Sequence, residues 1–237
     1  MSAAPIIDEL IEDLRPLRFG PPVTHVYNPL EYAREPFDRY LERYGKGRRE
    51  VLLLGMNPGP FGMAQVGVPF GEIHMVQSWL GIEGRVGKPE NEHPKRQIQG
   101  FACRRSEVSG RRIWGWAKEH FGTPANFFRR FFVINYCPLV FMEATGRNLT
   151  PDKLPRAERD PLFAICDRAV LRLVERFQPR FVVGVGAFAE ERALAILEGS
   201  DVQVGRILHP SPANPKANRG WSEAASLELR EMGIEVP

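Results

Sequence analysis

The stretch VLLLGMNPGPFGM, residues 51–63, constrains this chain more than any other. Val51 to Leu54 form an unbroken apolar run, which reads as a strand buried on both faces of a parallel sheet. In the turn that follows, Pro58 and Pro60 fix φ and remove N–H donors, while Gly59 and Gly62 let backbone approach a ligand closely. Asn57 is the one amide side chain held there. An α/β fold binds its ligands at this edge, where the strands run out into loops. A second proline-rich segment, ILHPSPANPKANRGW at 207–221, answers the first near the C-terminus.

Helices and strands alternate along the rest of the chain. Ile6, Ile7, Leu10, Ile11, Leu14 and Leu17 form one stripe of a helix opened by Pro5, and Phe37, Tyr40, Leu41 and Tyr44 mark another. A helix is expected near 74–80, a polar irregular stretch over 84–108, and a helix over 109–120. Further strands are expected at 131–135, 181–185 and 203–208. Thr150-Pro151 and Asp160-Pro161 read as helix starts, the second opening a long apolar face from Leu162 to Phe177. Helices over 188–197 and from Trp221 stop at Gly199 and Gly233. Four strands joined by helices predict a three-layer αβα sandwich around a four-stranded parallel sheet, with residues 1–237 forming a single domain.

Composition excludes several classes. At 43% hydrophobic residues the chain can bury a full core, and its apolar runs fall far short of a membrane span. Asp8, Glu9, Glu12 and Asp13 are wrong for a secretory signal, so a cytoplasmic protein is expected. Cys103, Cys137 and Cys166 lack the pairing of a disulfide framework or a zinc site, and no metal or other cofactor is expected. The basic residues are 26 Arg against 6 Lys, often paired, as in Arg104/Arg105 and Arg111/Arg112. Two explanations stand: compositional bias on solvated faces, or bidentate contacts to a polyanion.

Three polar residues fall at the C-terminal ends of three strands: Asn57, Asn135 and His209. Each alone has a structural explanation as a turn former, a strand-end cap or a core histidine. Their common edge favours a site.

The blocks GMNPGPFGMAQVGVPFGE (55–72), PENEHPKR (89–96), SEVSGRRIWGW (106–116), NYCPLVF (135–141), GRNLTP (146–151) and HPSPANPKANRGW (209–221) carry a resemblance to the single-strand-selective monofunctional uracil-DNA glycosylases. It extends from about Phe19 to the C-terminus. Other uracil-DNA glycosylase families place Asp or Glu where this chain has Asn57, or Asn where it has His209.

The resemblance implies a uracil-DNA glycosylase of base-excision repair that hydrolyses the N-glycosidic bond of uracil, and of 5-hydroxymethyluracil, without lyase activity. Asn57 would hold the attacking water and His209 would donate to O2 of the departing uracil anion. Asn135 would read N3–H and O4, Phe70 would stack on the flipped base unless it is ordinary core, and Met56 and Gly59 would line the pocket. Gly59 replaces a bulky Tyr of some relatives and would leave room at C5. Pro58, Gly62 and Met63 from the first segment are expected to contact DNA, together with Pro210, Ser211, Pro212, Ala213, Asn214, Lys216 and Arg219 from the second, which corresponds to an intercalating wedge. Vertebrate relatives carry Arg after HPSP where this chain has Ala213. The expected partner is uracil-containing DNA, single- or double-stranded, bound by a monomer associated with the nucleoid. A glycosylase of the same fold acting on xanthine or hypoxanthine, and a non-catalytic DNA-binding protein, are the alternatives.

Overall fold

The computed structural model describes residues 3–237. In chain order its elements are α1 (Ala4–Leu14), β1 (His25–Tyr27), α2 (Pro29–Tyr32), α3 (Arg34–Tyr44), β2 (Val51–Gly55), α4 (Met63–Val66), α5 (Ile73–Ser78), α6 (Val108–Phe121), α7 (Pro124–Arg130), β3 (Phe131–Asn135), β4 (Val140–Met142), β5 (Asn148–Leu149), α8 (Arg156–Phe177), β6 (Phe181–Val185), α9 (Ala187–Ile196), β7 (Gln203–Ile207) and α10 (Trp221–Glu231). The expected parallel sheet is present, with strand order β3-β2-β6-β7.

Every residue of β2 and β6 is buried, which requires cover on both faces of the sheet. Pleating sends alternate side chains of β3 to opposite layers. Phe132 stacks on Tyr40 of α3 and meets Phe177 of α8, while Phe131 meets Trp116 and Phe121 of α6. Trp116 in turn packs against Trp221 of α10. Two glycines set how closely helices approach: a methyl on Gly184 would lie 2.3 Å from the backbone nitrogen of Glu190 in α9, and one on Gly205 would lie 2.0 Å from the sulfur of Met232, just past α10. These contacts assign α3, α8 and α9 to one layer and α6 and α10 to the other.

The chain leaves β2 toward β3 on one side and later leaves β6 toward β7 on the other, so the strand order reverses between β2 and β6. A crevice opens at such a switch point, at the C-terminal strand ends. Backbone pairing runs past the strands here, since Tyr136 N–H donates to the Gly55 carbonyl at 2.8 Å and Cys137 N–H to that of Met56 at 2.9 Å. The two loops at the edge are therefore tied together.

Two sequence expectations need correction. Helix α8 starts at Arg156, so Pro161 lies inside it and not at its head. Pro161 is exposed, and water can satisfy the carbonyl its missing N–H leaves free. A second, antiparallel sheet in the order β1-β4-β5 was not expected at all. Its strands span two or three residues each, too short for an alternating pattern to register. It places Leu139, Asn148 and Thr150 beside the switch point.

Candidate active site

A cleft of about 360 Å³ opens at this edge, within the range of roughly 300–1,000 Å³ usual for small-molecule sites. Met56, Asn57, Pro58, Gly59, Phe70, Asn135, His209 and Ser211 line it, as do Glu107, Ser109, Asn148 and Thr150. The three strand-end residues singled out from the sequence thus meet in one place. Among the described residues no cluster of three or more His, Cys, Asp or Glu side chains is placed to hold a metal ion.

Each of the three is held in a definite orientation. Asn57 donates through Nδ2 to the carbonyl of Leu139 at 3.2 Å, and among the described residues no hydrogen bond takes its Oδ1. That oxygen is a fixed acceptor for one water. His209 accepts at Nδ1 from the Ser211 N–H at 3.1 Å. The ring proton must then sit on Nε2, which becomes a donor. Burial lowers the His209 pKa, which keeps the imidazole neutral near pH 7. On either side of Leu208, its N–H donates to Glu228 Oε2 at 2.6 Å and its carbonyl accepts from Trp221 Nε1 at 2.6 Å, so the histidine stands on a braced backbone. A methyl on Gly186, φ +95°, would come within 3.1 Å of the His209 Cβ.

Asn135 rests Nδ2 on the sulfur of Met63 at 3.2 Å, a weak acceptor that leaves the second N–H and Oδ1 available. Its close neighbour is Gly55, where a methyl would stand 2.3 Å from Asn135 Oδ1 and 2.7 Å from the Phe70 ring. Phe70 itself adopts φ +51°, an unfavourable conformation for a residue with a side chain. Two donors hold it there, as the Phe70 carbonyl accepts from Trp114 Nε1 at 3.0 Å and from the Glu72 N–H at 2.7 Å. Its ring is packed against the Gly55–Asn135 corner of the cleft. Gly55 and Gly186 were missed from the sequence because each acts through a side chain it lacks.

The structure divides the residues expected at DNA into two groups. Pro58, Gly62, Met63 and Pro210 are buried, and of these Pro58 lines the cleft. Pro212, Ala213, Lys216 and Arg219 are exposed, with Ser211 and Asn214 half-buried, on a loop that is stiff for local reasons. Ser211 Oγ accepts from the Ala213 N–H and Asn214 Oδ1 from the Lys216 N–H. Arg112 clamps both ends, donating to the Pro210 carbonyl at 2.8 Å and to Asn218 Oδ1 at 2.8 Å, while Asn218 Nδ2 reaches the Pro212 carbonyl at 2.9 Å.

The arginine pairs behave differently in different places. Away from the cleft, Arg168 pairs with Asp13, Arg172 with Glu9 and Arg34 with Asp8 and Asp38. By contrast, none of Lys95, Arg96, Arg104, Arg105, Arg111, Lys216 and Arg219 forms an ion pair among the described residues. Arg105 and Arg96 stack over Phe61 of the first turn, 4.1 and 5.4 Å from its centroid. Cations without carboxylate partners keep their charge available for an anion.

The space beside Gly59 is not vacant, contrary to expectation. A methyl there would lie 2.3 Å from Glu107 Oε1, and one on Gly62 would lie 2.0 Å from Oε2. Burial, then the nearby charge of Glu72, raises the Glu107 pKa from its ordinary 4.5 to about 7. Below about 4.5 this carboxyl is protonated whether the chain is folded or not; as pH rises to about 7 the unfolded chain loses the proton first, and folding stability falls. Glu107→Gln lacks that penalty. Its melting midpoint should match wild type near pH 4 and exceed it at pH 8, by up to ~3 kcal/mol of stability; thermal melts across that range check the sign.

A model of the uracil DNA glycosylase superfamily matches residues 42–229. The chain is 53% identical over 224 residues to the Rattus norvegicus protein named single-strand selective monofunctional uracil-DNA glycosylase, covering 94% of this chain and 81% of that one. With its Bos taurus counterpart the identity is 50% over 227 residues, covering 95% and 84%. The crystal structure of wild-type Pedobacter heparinus SMUG2 superposes with a TM-score of 0.69 at 16% identity over 96% of this chain and 97% of that one, which is a likeness of fold. The chain belongs to the uracil DNA glycosylase superfamily, within its single-strand selective monofunctional family.

Proposed function

We propose that this protein is a monofunctional DNA glycosylase that hydrolyses the bond between uracil and deoxyribose in DNA, leaving an abasic site. The observation that carries this is the convergence of Asn57 Oδ1, the Nε2–H of His209 and the Asn135 amide on one cleft. A glycosidic bond breaks through an oxocarbenium-like sugar, which a weak nucleophile suffices to capture when it is already in place. Asn57 Oδ1 positions that water. An amide is a poor base, so the leaving group needs the help.

Uracil leaves as an anion, and the neutral His209 donates from Nε2 to O2 where charge develops. Asn135 accepts from N3–H and donates to O4. Cytosine presents the reverse pattern and leaves a buried amide unpaired. The Phe70 ring supplies the stacking face for a nucleotide turned out of its strand. Among the described residues no lysine lines the cleft to attack the sugar, in keeping with hydrolysis alone.

The unpaired cations and the braced loop from Ser211 to Gly220 are the DNA-facing surface in this reading. In a duplex, the space left by a turned-out base must be filled. Ala213 offers a single methyl group there, so single-stranded uracil is the easier substrate. Release of uracil from matched single-stranded and duplex oligonucleotides under single-turnover conditions tests both points. Uracil should be released from each, faster from the single strand, with the abasic strand intact until alkali is added. Strand scission without alkali, or no uracil release, would refute the assignment.

A further inference from the structure

Asn135 and His209 together leave one discrimination unmade. Thymine carries the same O2, N3–H and O4 as uracil, so neither residue distinguishes the two. The difference lies at C5 alone. With O2 on His209 and the N3–O4 edge on Asn135, the C5–C6 edge is left to the other residues of the cleft, among them Gly59 and Glu107, whose carboxyl fills the space beside Gly59.

Glu107 is the only carboxylate lining the cleft among the described residues. It enters from the loop before α6, where its own carbonyl accepts the Arg111 N–H at 2.9 Å and so fixes its backbone. Its carboxyl occupies the space a side chain at Gly59 or Gly62 would take. Oε2, on the Gly62 side, is buried without a hydrogen-bond partner, and Oε1, beside Gly59 in the cleft lining, takes no hydrogen bond among the described residues. Glu72, the neighbouring acid, is instead fully engaged by Ser106 Oγ and the Met75 N–H. A buried carboxyl left unpartnered beside a ligand cleft is unfavourable unless something that binds there completes it.

Resting on the glycosylase reading above, we infer that Glu107 is a specificity-determining residue that reads the C5 position of the bound pyrimidine, pairing with a hydroxyl carried on C5 and rejecting a methyl. A hydroxymethyl group donates its O–H to Oε1, the carboxyl oxygen beside Gly59. A methyl group covers that oxygen and offers nothing in return, which disfavours binding. The carboxyl thus does by polarity what a bulky residue at position 59 would do by volume, and it admits oxidised C5 substituents that bulk would exclude.

The test compares single-turnover release of uracil, 5-hydroxymethyluracil and thymine from matched single-stranded oligonucleotides by wild type, Glu107→Met and Glu107→Gln. In Glu107→Met the ratio of 5-hydroxymethyluracil to uracil rates should fall on the order of tenfold or more, and thymine release should rise relative to uracil. Glu107→Gln keeps the shape and a neutral acceptor, so its ratio should fall by a smaller factor, on the order of threefold. Ratios within about twofold of wild type in both variants would overturn the inference while leaving uracil excision standing. Should Glu107→Met fail to fold in a thermal melt, the Glu107→Gln ratio decides alone. Wild-type protein that releases no uracil would overturn the glycosylase reading and this inference with it.

Discussion

Asn57→Ala and His209→Ala should each lower the single-turnover rate of uracil release by ~10² to 10⁴. The Asn57 change removes the acceptor proposed to hold the water. It also frees the Leu139 carbonyl on the opposite loop, so part of the loss is positional. The His209 change removes the Nε2–H donor proposed to act on O2 of the leaving anion. Affinity for an abasic oligonucleotide, measured by fluorescence anisotropy, should survive in both, because neither substitution removes one of the unpaired cations. His209→Asn separates donation from titration: an amide N–H donates too, so this variant should retain more activity than His209→Ala. Near wild-type rates in either alanine variant would remove that residue from its role.

The second large effect is expected from a residue with no side chain. Gly55→Ala would place a methyl 2.3 Å from Asn135 Oδ1 and 2.7 Å from two carbons of the Phe70 ring. Gly55 is the last residue of a buried central strand, so its backbone has nowhere to go. The amide and the ring must move instead, and displacements of about 1 Å at a reacting centre lower rates by ~10². Overpacking should also destabilise the fold by ~1–3 kcal/mol. Gly115→Ala is the control, since nothing lies within 4 Å of a methyl there and the position is helical. That variant should keep full activity and gain up to ~1 kcal/mol from helix propensity. Uracil-release rates and thermal melts on the two variants make the comparison; an active Gly55→Ala would mean that Asn135 does not need its present position.

The legible parts of this protein are those whose cause is local. Three apolar runs of about five residues and a more polar fourth strand at the sheet edge, separated by helical stripes, predicted the sheet and its two covering layers, because burial on both faces leaves an inner strand no polar positions to vary. Asn57, Asn135 and His209 stood out for a related reason: a polar residue just past a buried strand breaks the pattern, and the C-terminal edge of a parallel sheet gathers such residues. Local patterns failed where local chemistry conflicts with context. Asp160-Pro161 is a sound helix-start signal, yet α8 begins at Arg156 and continues through it, since the long apolar face packed on the sheet outweighs one lost hydrogen bond.

Sequence by itself therefore determined the layer architecture, the edge that carries the chemistry and the three side chains that meet there. Tertiary structure alone decided how those side chains are aimed. The Leu139 carbonyl turns Asn57, and Leu139 sits where it does because of a small second sheet whose strands are too short to read. The Ser211 N–H settles the tautomer of His209, a choice no residue type encodes. Glu107 reads in the sequence as an ordinary polar residue opening a helix, and only the fold presses its carboxyl against Gly59 and Gly62, 45 to 48 positions away. The physical reason is common to all three: periodicity and turn chemistry arise from neighbours along the chain, whereas orientation, tautomer and pKa arise from neighbours in space.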